Sequence, residues 1–158
     1  MFKVGDKVVY PMHGAGIIES IEEKEIGGKK ISYYVMHVPV GNMRVMVPVE
    51  KGRALGLREV VSRQTAAEIM DLLQEEEREP IGNWNLRYRQ NMEKIKSGDA
   101  RAVAEVVRSL GWRDRQRGLS TGERKMLDTA RQILLSELAL VWEEEKEKIT
   151  ERLEEVFA

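Results

Sequence analysis

The chain has 158 residues, 42% of them hydrophobic and 34% charged, with 26 Lys and Arg against 27 Asp and Glu. That length holds one ordinary domain or two small ones, and the composition is that of a chain with a real core rather than a disordered one. The absence of cysteine excludes disulfides, thiolate zinc sites and cysteine nucleophiles; the opening MFKVGDKVVY lacks the apolar stretch of a signal peptide and no apolar run reaches membrane-span length, so a cytoplasmic location without membrane contact is expected.

Residues 1 to about 49 predict a small antiparallel meander, with strands over 7–10, 15–21, 31–38 and 43–49 rich in Val, Ile, Tyr and Met. Gly27-Gly28 and Gly41-Asn42 fall between apolar runs and suit tight hairpin turns that need positive φ. Pro39 and Pro48 bound the last two strands. The alternation over 31–38 is imperfect, which points to a short curved strand in a small barrel rather than a flat, half-buried one.

From Thr65 the period becomes helical. Ala66, Ile69, Leu72 and Leu73 share one face of a helix that runs into Glu75-Glu76-Glu77-Arg78-Glu79-Pro80, which reads as a joint. Further helices are predicted over 84–96, 99–117, 120–142 and 150–157. Asp99 and Thr150 are the expected N-caps, Ser120-Thr121-Gly122-Glu123 has capping-box spacing, and Gly98 and Gly118 mark helix ends. Such short turns make antiparallel neighbours, for which Val103, Val106, Val107 and Leu110, and Leu127, Ile133, Leu134 and Leu138, supply facing stripes. The fold class is α+β: a small antiparallel β-barrel over residues 1–60, then a compact all-α domain over 61–158.

The near-neutral total conceals a segregation. Residues 80–135 carry 12 Lys and Arg against 6 Asp and Glu, nine of those cations being arginine, whereas residues 143–158 carry 3 against 7. Arginine's planar fork suits phosphate or carboxylate partners, although charged wet faces of helices need no partner but water. Catalysis has little to stand on. His13 and His37 lack any metal or acid–base setting and read as solvated or hydrogen-bonded, and Gly14-Ala15-Gly16 precedes a strand and lacks a phosphate-loop ending. No metal, cofactor or enzymatic activity is expected.

Asn83-Trp84-Asn85-Leu86-Arg87-Tyr88-Arg89-Gln90-Asn91 is different in kind. It gathers stacking faces, cations and amides at a helix start, where free backbone N–H groups and the positive dipole end also favour phosphate. Trp84 and Tyr88, four residues apart, either pack as a pair on the helical core or present rings for recognition. Trp112 and Trp142 lie in apolar stripes and belong to the core. Arg113, Arg115 and Arg117, followed by Arg124 and Lys125, either stabilise helix ends or widen the basic surface begun at Arg87.

The opening Phe2 to Gly16 segment, the helix start at Asn83-Trp84, and the stretch from Arg117-Gly118-Leu119-Ser120 to Arg131-Gln132-Ile133-Leu134 together resemble the CarD family of bacterial transcription regulators nearly end to end. The first part also resembles the RNA-polymerase interaction domain of the transcription-repair coupling factor; the helical half separates the two. The resemblance implies a Tudor-like barrel docking on the RNA polymerase β subunit and a helical domain on promoter DNA beside the opening bubble. Trp84 matches the family's wedge tryptophan, and Arg87 and Arg89 match residues that hold the DNA backbone. With Asn83 and Tyr88 they form the implied DNA-binding set, which Arg113, Arg115, Arg117, Arg124 and Lys125 would widen. On the polymerase side Lys24 and Met46 occupy positions where basic residues are common; Arg44, two residues before Met46, shares its strand face and would substitute for it. The expected protein is a non-enzymatic monomer that bridges polymerase and DNA and stabilises the open promoter complex. A sequence-specific repressor with a helix-turn-helix and a pure protein adaptor are the alternatives.

Overall fold

The computed structural model describes residues 1–75 and 84–157. Strands β1 (Lys7–Tyr10), β2 (Gly14–Ile26), β3 (Lys29–Val38), β4 (Met43–Pro48) and β5 (Arg58–Glu59) form one antiparallel sheet in the order β4-β3-β2-β1-β5. Its hairpins turn where the sequence places them: Gly27 and Gly28 have φ of 58° and 79°, Gly41 and Asn42 89° and 49°, the positive values a two-residue turn demands. The expected barrel is not closed. Strands β4 and β5 are the two edges of an open sheet, which a bulge between Ile18 and Ser20 bends.

Strand β3 loses its alternation because both its faces are covered. Tyr34, Met36 and Val38 point into the sheet core with Val8, Ile18, Val47 and Leu57, while Val35 is buried on the other face, paired to Ser20 and Met46. The β2–β3 ribbon runs past this core, and residues 21–30 are exposed throughout.

Helices α1 (Arg63–Gln74), α2 (Trp84–Lys96), α3 (Ala100–Arg117), α4 (Thr121–Trp142) and α5 (Lys146–Val156) follow. Three start on side-chain caps: Ser62 Oγ accepts from the Thr65 N–H at 3.1 Å, Asp99 Oδ1 from Arg101 at 3.1 Å, and Ser120 Oγ from Glu123 at 3.2 Å. Gly98 and Gly118, with φ of 74° and 80°, end α2 and α3. Thr150 is not a cap, because α5 begins at Lys146, after Glu143 has ended α4 in the left-handed region. Its hydroxyl instead donates to the Lys146 carbonyl at 2.8 Å, and Glu145 and Glu147 supply negative charge at the N-terminal end of the helix.

The predicted stripes on α3 and α4 are buried and form the helical core with Ile69 and Leu73 of α1, Ile95 of α2 and Ile149 and Leu153 of α5. Truncating such a leucine costs about 2 to 5 kcal/mol. Helix α4 also lies against β2. The Ala15 N–H donates to Ser136 Oγ at 2.8 Å, and that hydroxyl donates to the Ile133 carbonyl at 2.6 Å. Gly14 permits the approach: its φ is 102°, and a Cβ there would stand 2.8 Å from Ser136 Oγ.

Candidate nucleic-acid interface

Trp84 opens α2 and is 43% exposed, although it is among the largest side chains of the protein. Its ring stacks on Tyr88 one turn later, with centroids 5.3 Å apart and planes 24° from parallel. Tyr88 is half-buried, packs on the helical core and lies over the start of α4, where a Cβ on Gly122 would stand 3.9 Å from its ring. The two rings are therefore placed differently. Tyr88 packs, and Trp84 rests on it with its other face outward. Leu86, 49% exposed, and Arg89 are exposed on other sides of the helix, two and five positions after Trp84, while Arg87 is half-buried. Asn83 lies outside the described residues.

The corner between α3 and α4 is organised differently. Arg113 turns inward, its Nε 3.3 Å from Oε2 of the buried Glu123. Glu123 also receives the Ser120 hydroxyl at 3.1 Å, so the carboxylate of the capping-box sequence serves an internal ion pair. Arg124 Nη2 lies 2.5 Å from Asp114 Oδ1; that hydrogen bond, then the charge of Asp114, raise the guanidinium further above its ordinary range. The Arg115 guanidinium sits 5.6 Å from the Trp112 ring centroid, and Trp112 meets Phe157 edge-on at 5.4 Å. Arg117 and Lys125 are exposed. Further along the bundle Arg101 pairs with Glu68, Arg108 with Glu75 at 3.1 Å, and Lys94 with Glu105 at 3.0 Å. Glu68 of α1 and Glu75 at its end, both outside the basic stretch, thus neutralise part of an excess that a count along residues 80–135 leaves free.

On the sheet, Lys24 and Met46 come together, with Nζ 3.6 Å from Sδ. Arg44 lies opposite His37 and Met46 opposite Val35, which puts the two on one face as the strand period requires. Arg44 is 3.4 Å from Glu19. Both histidines make hydrogen-bond contacts: His37 Nε2 is 2.9 Å from Asn42 Oδ1, and His13 Nδ1 is 3.0 Å from the Pro11 carbonyl.

The sequence reading missed Arg58, Ser136 and Glu137, which join the sheet to the helices. A signal existed, since Ser136-Glu137 interrupts an otherwise apolar run from Ile133 to Val141. Among the described residues no group of three or more His, Cys, Asp or Glu could hold a metal ion, and no helix is long and apolar enough to cross a membrane.

The structure thus brings Trp84 onto Tyr88 at the start of α2 and Lys24 beside Met46 on the sheet. A family model described as CarD-like/TRCF RID domain matches residues 2–61, and one described as CarD, C-terminal domain, matches residues 68–154. The chain is 43% identical over 141 residues to YdeB of Bacillus subtilis (strain 168), a protein named for a role in transcription; the alignment covers 89% of this chain and 92% of that one. The solution structure of the 72-residue N-terminal domain of Myxococcus xanthus CarD is 37% identical, with a TM-score of 0.33, covering 37% of this chain and 79% of that one. The chain belongs to the CarD family, and so to transcription regulators linked to RNA polymerase.

Proposed function

We propose that this protein docks through its sheet, residues 1–60, on the β subunit of RNA polymerase, and through its helical part, residues 61–158, on promoter DNA at the upstream edge of the melted region, and that it acts as a monomer. The observation that carries the reading is the half-exposed Trp84 held flat on Tyr88. Holding a large apolar ring in water is unfavourable unless a partner covers it, and a ring backed by a second ring keeps its plane while its free face waits. Parting a base step costs a few kcal/mol, and an inserted apolar wedge offsets that with new contacts. Because the wedge fits only where the step is already open, it binds the open complex better than the closed one and shifts the population toward it.

Phosphate contacts come from Arg89, Arg117 and Lys125, which fix position without reading sequence. Arg113, paired to the buried Glu123, and Arg124, paired to Asp114 at the surface, shape the corner that carries the others. Docking of the sheet, with Lys24, Arg44 and Met46 on the polymerase side, raises the effective concentration of the helical part at the bubble, so that a modest DNA affinity suffices.

The test is the lifetime of the open complex formed by polymerase on a promoter fragment, with and without the full chain, together with crosslinking from position 84 to DNA. A longer lifetime with crosslinks to the upstream bubble edge supports the reading. A lifetime the chain leaves unchanged sinks it, and a full effect on polymerase with no crosslink to DNA turns the protein into an adaptor.

A further inference from the structure

Glu137 is 2% exposed in the middle of α4. Its carboxylate takes both ends of one guanidinium, with Oε2 2.8 Å from Arg58 Nη1 and Oε1 2.8 Å from Arg58 Nη2, and Oε2 also accepts the Val61 N–H at 2.8 Å. Arg58 is on β5, and its Nε donates to the Gly98 carbonyl, in the turn between α2 and α3, at 2.8 Å. One side chain of the sheet thus holds the middle of α4 and the turn that follows the Trp84 helix. Beside it, Pro11 fits between Gly56 and Gly98: a Cβ on either glycine would come within 2.8 Å and 2.7 Å of the Pro11 ring.

A buried ion pair is a poor source of stability, because its desolvation offsets most of its attraction, and apolar residues of similar volume often do as well. What a bidentate pair adds is geometry, since two parallel hydrogen bonds fix both position and rotation. An apolar contact at this point would leave the setting of α4 on the sheet to the hydrogen bonds of Ala15 with Ser136 and of Lys7 with Leu140 and Glu143. We infer that Arg58 and Glu137 are positioning residues: they hold the sheet and the helices as one rigid body, so that the distance and angle between the polymerase-facing strands and Trp84 are set before binding. The functional half of this inference rests on the bridging role proposed above. The rigidity does not.

The chain lacks cysteine, so two spin labels can be placed cleanly, at Lys30→Cys near the tip of the ribbon and Gln116→Cys near the end of α3, both exposed. The decisive variant is the double change Arg58→Met with Glu137→Leu, which leaves no charge stranded. In the parent the distance distribution should be single and narrow. In the double variant it should broaden about two-fold or split, with a melting temperature close to the parent's. Untagged, that variant should bind polymerase as the parent does yet lose about ten-fold of the open-complex lifetime effect, because a loose joint lowers effective concentration at the bubble. Glu137→Gln, which keeps the shape and part of the hydrogen bonding, should retain a narrow distribution and most of the effect. An unbroadened distribution and full lifetime effect in the double variant would show the pair to be ordinary packing and overturn the inference. If the parent itself leaves the lifetime unchanged, the bridging role fails, while the distances still decide whether the joint is rigid.

Discussion

The start of α2 and the corner between α3 and α4 carry the same residue types, arginines beside aromatic rings, and use them in opposite ways. At the corner, Arg113 is drawn to the buried Glu123, Arg124 to Asp114, and Arg115 lies over Trp112. At the start of α2 the ring stands 43% exposed and Arg89 faces water. One region pairs most of its arginines within its own fold; the other leaves a large ring and a nearby cation to the solvent. Charge counted along a sequence therefore measures composition, and only the pairing decides how much of it a phosphate can meet.

Removing Arg113 should have the largest effect, because it strands a carboxylate that is nearly buried. Arg113→Ala is expected to cost about 2 to 4 kcal/mol, read as a fall in denaturation midpoint, with DNA affinity of the folded fraction nearly unchanged. A variant of parental stability with weakened DNA binding would place Arg113 on the interface instead.

Trp84→Ala should behave in the reverse manner. Losing the stack on Tyr88 costs about 1 kcal/mol of stability rather than the roughly 3 to 5 kcal/mol of a core aromatic. Losing base stacking worth about 1 to 3 kcal/mol should shorten open-complex lifetime by roughly 5-fold to 150-fold. Trp84→Phe should keep part of the effect. A large drop in melting temperature with lifetimes preserved would make Trp84 a structural residue.

The salt dependence of DNA binding sharpens the count of available cations. Had about four phosphates been neutralised, as the arginine-rich sequence suggests, log affinity would fall against log salt with a slope of about −3.6. With Arg113 and Arg124 committed to carboxylates, about three phosphate contacts and a slope near −2.7 are expected. Arg89→Glu should weaken binding to unrelated promoter sequences alike, and a change confined to one sequence would favour base reading.

The smallest effect concerns acid. The Lys7 ammonium hydrogen-bonds to Glu143 at 3.0 Å, and that bond, then the charge of Lys7, hold the Glu143 carboxyl below its ordinary range. A carboxyl lowered in the folded state contributes stability that is present above its unfolded pKa and lost as pH falls through the folded one. Parent and Glu143→Gln should accordingly differ slightly in urea midpoint at neutral pH and converge toward acid. A difference that grows on acidification would reverse this sign.

Local signals carried most of the fold. The bounds of α2, α3 and α4 follow from Asp99, Ser120, Gly98 and Gly118, whose effects act within a few residues, and the hairpins follow from two glycine-bearing turns. Thr150 misled because a threonine hydroxyl can also bond back inside a helix. Strand β5 left no trace, since a two-residue strand exists only through its pairing with β1, some fifty residues earlier in the chain. Barrel closure failed for a related reason, as it depends on whether distant edges meet. For the site, the ring and its neighbours were legible as chemistry, but the division of labour between Trp84 and Tyr88 required knowing where the core lies. Arg58 and Glu137 are joined across 79 positions, a separation at which no periodicity speaks.

The hydrogen bond from Ala15 to Ser136 spans 121 residues, and that span has a consequence for folding. Tight hairpins let β1 to β4 assemble early, because their loops are short and cheap to close. The acceptor for Ala15 lies far downstream, in the second-last helix, and a nascent chain growing from its N-terminus makes it late. Until α4 settles on β2, that amide has only water to bond. Its hydrogen exchange should therefore report the arrival of α4 rather than the formation of the strand that contains it, making a single backbone proton near the N-terminus a clock for the docking of a helix more than a hundred residues away.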